Sequence, residues 1–193
     1  YQTAYMKANY PQEFMAASMT YDMHNTDKLS IFKQDCEALR FNVLPPDINR
    51  SDVEFRVEGG TSHSPPEKSV RYALAAVKNV GEQAMRELVE ERGANGVYTD
   101  IFDVVSRIST KGLNRRQFEH LIMAGVFDSL HPNRAQLMES LDSILAYGQC
   151  VAEEKTSTQV SLFGEGAAAV QKPPLKSCPE WSALDKLAKE YAA

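Results

Sequence analysis

The stretch "LAAVKNVGEQAMREL", Leu74 to Leu88, decides the fold, because two helical patterns meet at a bend within fifteen residues. Apolar Leu74 and Val77 come before a tight turn at residues 78–81. After the turn, small and apolar residues recur at the spacing of one helix face, namely Ala84, Met85 and Leu88. The stretch therefore predicts two short helices that pack against each other across a hairpin turn.

This arrangement follows the helix-hairpin-helix pattern and predicts an anion site at the bend. Gly81 and the first amides of the second helix would point N–H groups outward, and the helix dipole adds partial positive charge. A DNA phosphate can bind such amides without any base being read. We therefore predict DNA contacts at Lys78, Asn79, Val80 and Gly81, with Arg86 as a flanking charge.

One residue departs from the pattern, which prefers glycine at both turn positions and has Asn79 at the first. Asparagine tolerates a left-handed backbone better than other non-glycine residues, so the turn survives, although its side chain could crowd a phosphate. Glu82 could instead cap the second helix from within the chain. An ordinary tight turn between packed helices remains an open alternative.

A weaker copy of the pattern follows at "LNRRQFEHLIMAGVFDSLHPNRAQL". A helix from Asn114 is predicted to break at residues 124–125 and to restart near Asn133. Arginines lie near the predicted helix ends, at Arg115, Arg116 and Arg134. Two such hairpins would hold both strands of a duplex across the minor groove, and a solvated basic helix end is the alternative for each arginine.

The chain as a whole is predicted to be mainly α, with a small antiparallel sheet near residues 41–73. The predicted helices are Tyr1 to Ala8, Pro11 to Met23, Asp27 to Arg40, about 74–79, 82–92, 99–109, 114–124 and 133–150, and Ala183 to Tyr191. Four regions follow: residues 1–73 with the sheet, the hairpin bundle 74–150, a disordered linker 151–181, and a terminal helix 182–193 whose partner surface lies outside the chain.

Composition excludes several classes of protein. The net charge of −5 argues against a protein that coats nucleic acid, and only residues 66–134 are net positive, with 10 basic and 9 acidic side chains. The cysteines (Cys36, Cys150 and Cys178) lack metal-ligand spacing, so we predict no metal site. Without a leader or a membrane-length apolar run, we expect a cytoplasmic protein with no membrane partner.

Five segments resemble one known family. They are "YQTAYMKANYPQEFMAA", "DKLSIFKQDCEALRFNVLPPDINRSDVEF", "VRYALAAVKNVGEQAM", "LNRRQFEHLIMAGVFDSL" and "NRAQL", and they occur in order over residues 1–138. Together they resemble the catalytic alpha subunits of bacterial DNA polymerase III, the C-family replicative polymerases. The resemblance implies the end of the fingers region followed by a domain that contacts duplex DNA and the sliding clamp.

In that family two Mg²⁺ ions held by palm carboxylates carry out nucleotidyl transfer. The resemblance places the palm outside this chain. We therefore predict no catalytic residue and no cofactor here, and we expect the chain to be inactive as a polymerase by itself. The expected partners are duplex primer-template DNA, the sliding clamp and the remainder of the alpha subunit.

The polar segment after residue 150 carries a short apolar motif, "QVSLF". Its residues, Gln159, Val160, Ser161, Leu162 and Phe163, resemble the clamp-binding motif of bacterial replication proteins, in which Gln precedes a Leu-Phe pair. A disordered peptide can offer its Leu and Phe side chains to an apolar pocket on a partner. A linker with incidental apolar residues is the alternative for this motif.

For the whole chain, the alternative is a free-standing helix-hairpin-helix module, such as a repair accessory protein. It would explain the hairpin but not "YPQEFMAA" or "LPPDIN". An independent small enzyme would need a catalytic constellation, and the sequence offers none.

Overall fold

The computed structural model of the chain describes residues 1–59, 68–108, 113–156 and 171–193. The predicted mainly α fold is confirmed. The N-terminal helices are α1 (Gln2–Asn9), α2 (Pro11–Tyr21) and α3 (Thr26–Ala38). Pro11 occupies the first turn of α2, where its missing N–H costs nothing. Asn25 caps α3 by accepting from the amide of Lys28 at 3.1 Å.

The small sheet is mixed rather than purely antiparallel. Its strands are β1 (Val43–Leu44), β2 (Arg56–Gly59) and β3 (Lys68–Arg71), in the order β1-β3-β2. The predicted antiparallel pairing is correct for β2 and β3, but β1 pairs with β3 in parallel. Alternation of apolar residues predicts a strand face and carries no information about strand direction, so this element of the prediction was wrong.

The hairpin bundle follows β3 and is helical. A single 3-10 turn (Leu74–Ala76) leads into α4 (Glu82–Asn95), α5 (Ile101–Arg107), α6 (Arg115–Met123), α7 (Arg134–Glu139) and α8 (Leu141–Thr156). The helix expected at 74–79 is only this 3-10 turn, because Val77 is already extended. The helix expected at 133–150 is divided at Ser140 into α7 and α8.

One apolar core fills the hairpin bundle, and a second lies between α2, α3 and the sheet. Ile48, in the loop between β1 and β2, is buried in the helical core, and its N–H donates to the carbonyl of Val126 at 2.8 Å. Arg92 donates to the carbonyls of Ile48 and Ser51 at 2.7 and 2.8 Å. The loop before β2 is therefore hydrogen-bonded to α4 and to the residues after α6. The domain boundary expected at residue 73 stays a prediction.

The C-terminal segment returns to the bundle. Leu175 and Trp181 pack against the helical core, and Asn133 donates to the carbonyl of Cys178 at 3.1 Å. Ser182 then caps α9 (Ala183–Ala192), which lies against α6. A partner surface for α9 thus exists within this chain, although its apolar side chains remain exposed at Leu184, Leu187 and Tyr191.

The predicted linker therefore has a helical start, since α8 extends to Thr156, and a packed end at residues 171–181. Within the described ranges of the chain, no helix combines the length and the apolar content that crossing a membrane requires.

Candidate nucleic-acid interface

The hairpin turn has the backbone that the sequence predicts, with asparagine in place of glycine. Asn79 has a φ of +60°, in the left-handed region. The N–H of Val80 donates to the carbonyl of Val77 at 3.4 Å and closes the turn. Gly81 is extended, with φ −72° and ψ 135°, and forms the N-cap of α4. The left-handed bend therefore rests on Asn79, which tolerates it as expected.

The first turn of α4 presents backbone donors. No side chain caps α4, because Glu82 pairs with Arg86 at 2.8 Å instead of with an amide. Within the described ranges, the amides of Glu82, Gln83 and Ala84 make no hydrogen bond. Together with the helix dipole, these amides make the start of α4 a favourable place for an anion.

Helix α6 lies directly against this turn. The side-chain amide of Asn79 is 3.0 Å from Nε2 of His120, and a Cβ on Gly81 would stand 3.4 Å from Nε2 of Gln117. Gln117 also completes a capping box with Asn114, which fixes the start of α6. The structure thus brings the turn against the face of α6 that carries Gln117 and His120.

The same contact gathers positive charge around His120. Burial lowers the pKa of His120, and the charges of Arg116 and Lys78 lower it further, while Glu119 acts in the opposite direction. Arg116 is exposed and has no ion pair among the residues that the structure describes. The hairpin turn and α6 therefore share one polar cluster, which consists of Lys78, Asn79, Arg116 and His120.

The last turn of α9 covers one edge of this cluster. The amide of Lys78 donates to the carbonyl of Ala193 at 2.6 Å, and its ammonium donates to the carbonyl of Tyr191 at 3.3 Å. The ammonium also lies 5.7 Å from the centre of the Tyr191 ring. The backbone donor of Lys78, which we predicted to face a phosphate, is thus occupied by α9.

The remaining predicted arginines differ in whether their guanidinium groups are free to bind a phosphate. Arg86 is paired with Glu82, and Arg115 is paired with Glu119 and with Asp142. Arg134 is buried, where it binds Asp128 through two hydrogen bonds of 2.6 and 2.7 Å. It also contacts Glu190 of α9 at 2.6 Å. Arg134 is therefore a structural residue, and both the DNA-facing and the solvated interpretations of it were wrong.

Sequence reasoning missed the contribution of α6 to the turn. The sequence analysis gives Gln117 and His120 no role at the turn, and it places the partner surface of the terminal helix, which contains Tyr191, outside the chain. A signal for His120 was present, because Arg116 and His120 are four residues apart and share one face of a helix. Nothing in the local sequence indicates that α9 reaches Lys78.

The predicted clamp-binding residues, Gln159 to Phe163, lie outside the described residues. In the ranges that are described, no three His, Cys, Asp or Glu side chains gather as metal ligands would. Among the described residues, the candidate site therefore lies at the hairpin turn and on the face of α6 beside it.

Comparisons with known proteins agree with this geometry. A family profile described as "Helix-hairpin-helix motif" matches residues 40–137. DNA polymerase III subunit alpha of Caulobacter vibrioides is 43% identical over all 193 residues, which make up 16% of that protein. The subunits of Thermus aquaticus and Escherichia coli are 40% and 38% identical over 97% and 94% of the chain, or 14% and 15% of their own lengths.

The chain thus spans only a small fraction of the length of these relatives, while nearly all of it is similar to each of them. The predicted resemblance to DNA polymerase III alpha subunits is confirmed, and the chain belongs to the helix-hairpin-helix motif family.

Proposed function

We propose that this chain is the segment of a replicative DNA polymerase that holds duplex DNA by its phosphates and tethers the enzyme to its sliding clamp. The observation that carries the DNA-binding half is the left-handed bend at Asn79. It leaves the first amides of α4 without an acceptor among the described residues, beside Lys78 and Arg116.

The proposed contacts read no sequence. Backbone amides and ammonium or guanidinium groups bind phosphate oxygens, which are the same at every base pair. The chain has an overall charge of −5, so its attraction to DNA has to come from this local cluster. The backbone amide of Gly81 can contribute, whereas that of Val80 already donates to the carbonyl of Val77. Arg86 and Arg115 would act only after release from their carboxylate partners.

The tethering half rests on the sequence "QVSLF" and on the relatives. We propose that Leu162 and Phe163 enter an apolar pocket of the clamp while Gln159 makes directional hydrogen bonds. A short peptide that must become ordered binds modestly, but a DNA contact on the same chain raises its effective concentration at the clamp. The two contacts would thus reinforce each other.

The proposal places this chain beside the remainder of an alpha subunit in a cytoplasmic replication enzyme. Similarity extends over residues 1–39, outside the family profile, which a segment of such a subunit explains and a free-standing hairpin module does not. We assign no nucleotidyl transfer to this chain. A primer-extension assay of the chain with Mg²⁺ and nucleotides should show no product.

Duplex binding tests the first half. Fluorescence anisotropy with two duplexes of unrelated sequence should give similar affinities that fall as salt is raised. Arg116→Gln should weaken both by the same factor and reduce the salt slope by about one. Lys33→Gln, at an exposed position on α3, is the matched control and should change little. Binding that is independent of salt would contradict phosphate recognition.

Clamp capture tests the second half. The double substitution Leu162→Ala and Phe163→Ala should abolish retention on an immobilised bacterial sliding clamp, because it removes both apolar anchors. Val170→Ala serves as the control in the same segment. Undiminished capture of the double variant would remove the clamp assignment and leave DNA binding unaffected.

A further inference from the structure

The hairpin turn departs from glycine at one position, and the structure shows what accompanies that departure. Asn79 has a left-handed backbone, and its side chain reaches α6, where Nδ2 lies 3.0 Å from Nε2 of His120. With Nδ2 of Asn79 directed at the ring, Nε2 of a neutral imidazole accepts the hydrogen bond and the ring proton lies on Nδ1. Nδ1 itself is buried and has no hydrogen-bond partner among the described residues.

The side chain of Asn79 has two places to go. A polar side chain on a turn readily bonds nearby backbone amides, and the closest unpaired ones are those at the start of α4. There it would occupy the donors that a phosphate needs. The contact with His120 holds the carboxamide on α6 instead, on the side where Gly81 faces Gln117.

We propose that His120 is the positioning residue of this hairpin. By binding the carboxamide of Asn79, it supports the left-handed bend and keeps the first amides of α4 open to a phosphate. His120 need not touch DNA in this role. The inference rests on the proposed DNA-binding function and identifies which side chain makes asparagine an adequate substitute for glycine.

Burial and the net charge around His120 favour its neutral form. The charged groups that face its ring are Arg116 and Glu119 on α6 and Lys78 on the hairpin. Burial and the two cations lower the pKa of His120, so the ring stays neutral and remains an acceptor at neutral pH.

A glycine at position 79 would need no such support, because it adopts the left-handed bend freely and has no carboxamide to restrain. The proposal therefore predicts strong coupling between positions 79 and 120. In the chain with Asn79, His120→Ala should weaken duplex binding about fivefold, which is the size of one net hydrogen bond. In an Asn79→Gly chain, the same substitution should leave the affinity unchanged.

Two near-isosteric variants separate positioning from a general effect on packing. The amide of glutamine reaches about as far as Nε2 of histidine, whereas that of asparagine reaches only as far as Nδ1. His120→Gln should therefore keep wild-type affinity, and His120→Asn should behave like His120→Ala. The backbone and side-chain amide signals of Asn79 in NMR spectra should move in the Ala and Asn variants and stay in place in the Gln variant.

The full 193-residue chain is used throughout, and circular dichroism melts verify that each variant is folded. If the wild-type chain shows no salt-dependent duplex binding, the proposed function fails, and the NMR signals still test the contact. If the wild type binds and His120→Ala binds equally well, the positioning role is wrong. It is also wrong if adding His120→Ala to the Asn79→Gly chain weakens binding by the same factor as in the chain with Asn79.

Discussion

At the scale of single residues, the ionisation of His120 reports on the charges at the hairpin. Its pKa lies below the ordinary value of 6.5, with burial as the largest cause. The folded chain therefore holds this proton less tightly than the unfolded chain does. The neutral ring therefore contributes to folding stability above about pH 6.5, and that contribution is lost as the pH falls through the lowered pKa.

Removing the neighbouring charges should move this pKa in opposite directions. We expect Arg116→Gln to raise the pKa of His120, because it removes a cation, and Glu119→Gln to lower it, because it removes an anion. An NMR titration of the imidazole signals measures both. A pKa that is unchanged in both variants would show that these side chains do not face the ring in solution.

At the scale of helices, two glycines that lie within helices should respond oppositely to the same substitution. Gly93 in α4 has open space where a Cβ would stand, so Gly93→Ala should stabilise the chain by about 0.5–1 kcal/mol through helix propensity. A Cβ on Gly148 of α8 would lie 2.9 Å from the carbonyl oxygen of Val105 in α5. Gly148→Ala should therefore destabilise by about 1–3 kcal/mol.

Urea unfolding of the two variants measures the difference, with each serving as the control for the other. Equal effects would mean that α5 and α8 do not pack as closely as the structure shows. The comparison isolates tertiary contact, since the gain in propensity is similar at both positions.

The sequence predicts elements better than it predicts their partners. Pro11, Asn25 and Ser182 indicate where helices begin because capping is a local property. The tolerance of Asn79 for a left-handed turn is local in the same way. The parallel pairing of β1 with β3 and the burial of Arg134 against Glu190 depend on residues far apart in the sequence. No local pattern contains that information.

At the scale of the whole molecule, the C-terminal helix and the proposed phosphate site share Lys78. The carbonyls of Ala193 and Tyr191 accept from its amide and its ammonium. The ion pair between Glu190 and Arg134 holds the same end of α9 against the bundle. If the hairpin binds DNA as proposed, a phosphate and the last turn of α9 compete for this lysine.

Loosening α9 should therefore strengthen duplex binding. We expect Glu190→Gln, which removes the ion pair with Arg134, to tighten binding about two- to fivefold and to speed hydrogen exchange at the backbone amides of α9. Glu180→Gln is the matched control, since it removes the same charge. Glu180 lies in the segment before α9 and forms an exposed ion pair with Lys186. An equal gain in both variants would show that net charge alone is responsible, because Glu190, and not Glu180, pairs with Arg134 beside the turn of α9 that covers Lys78.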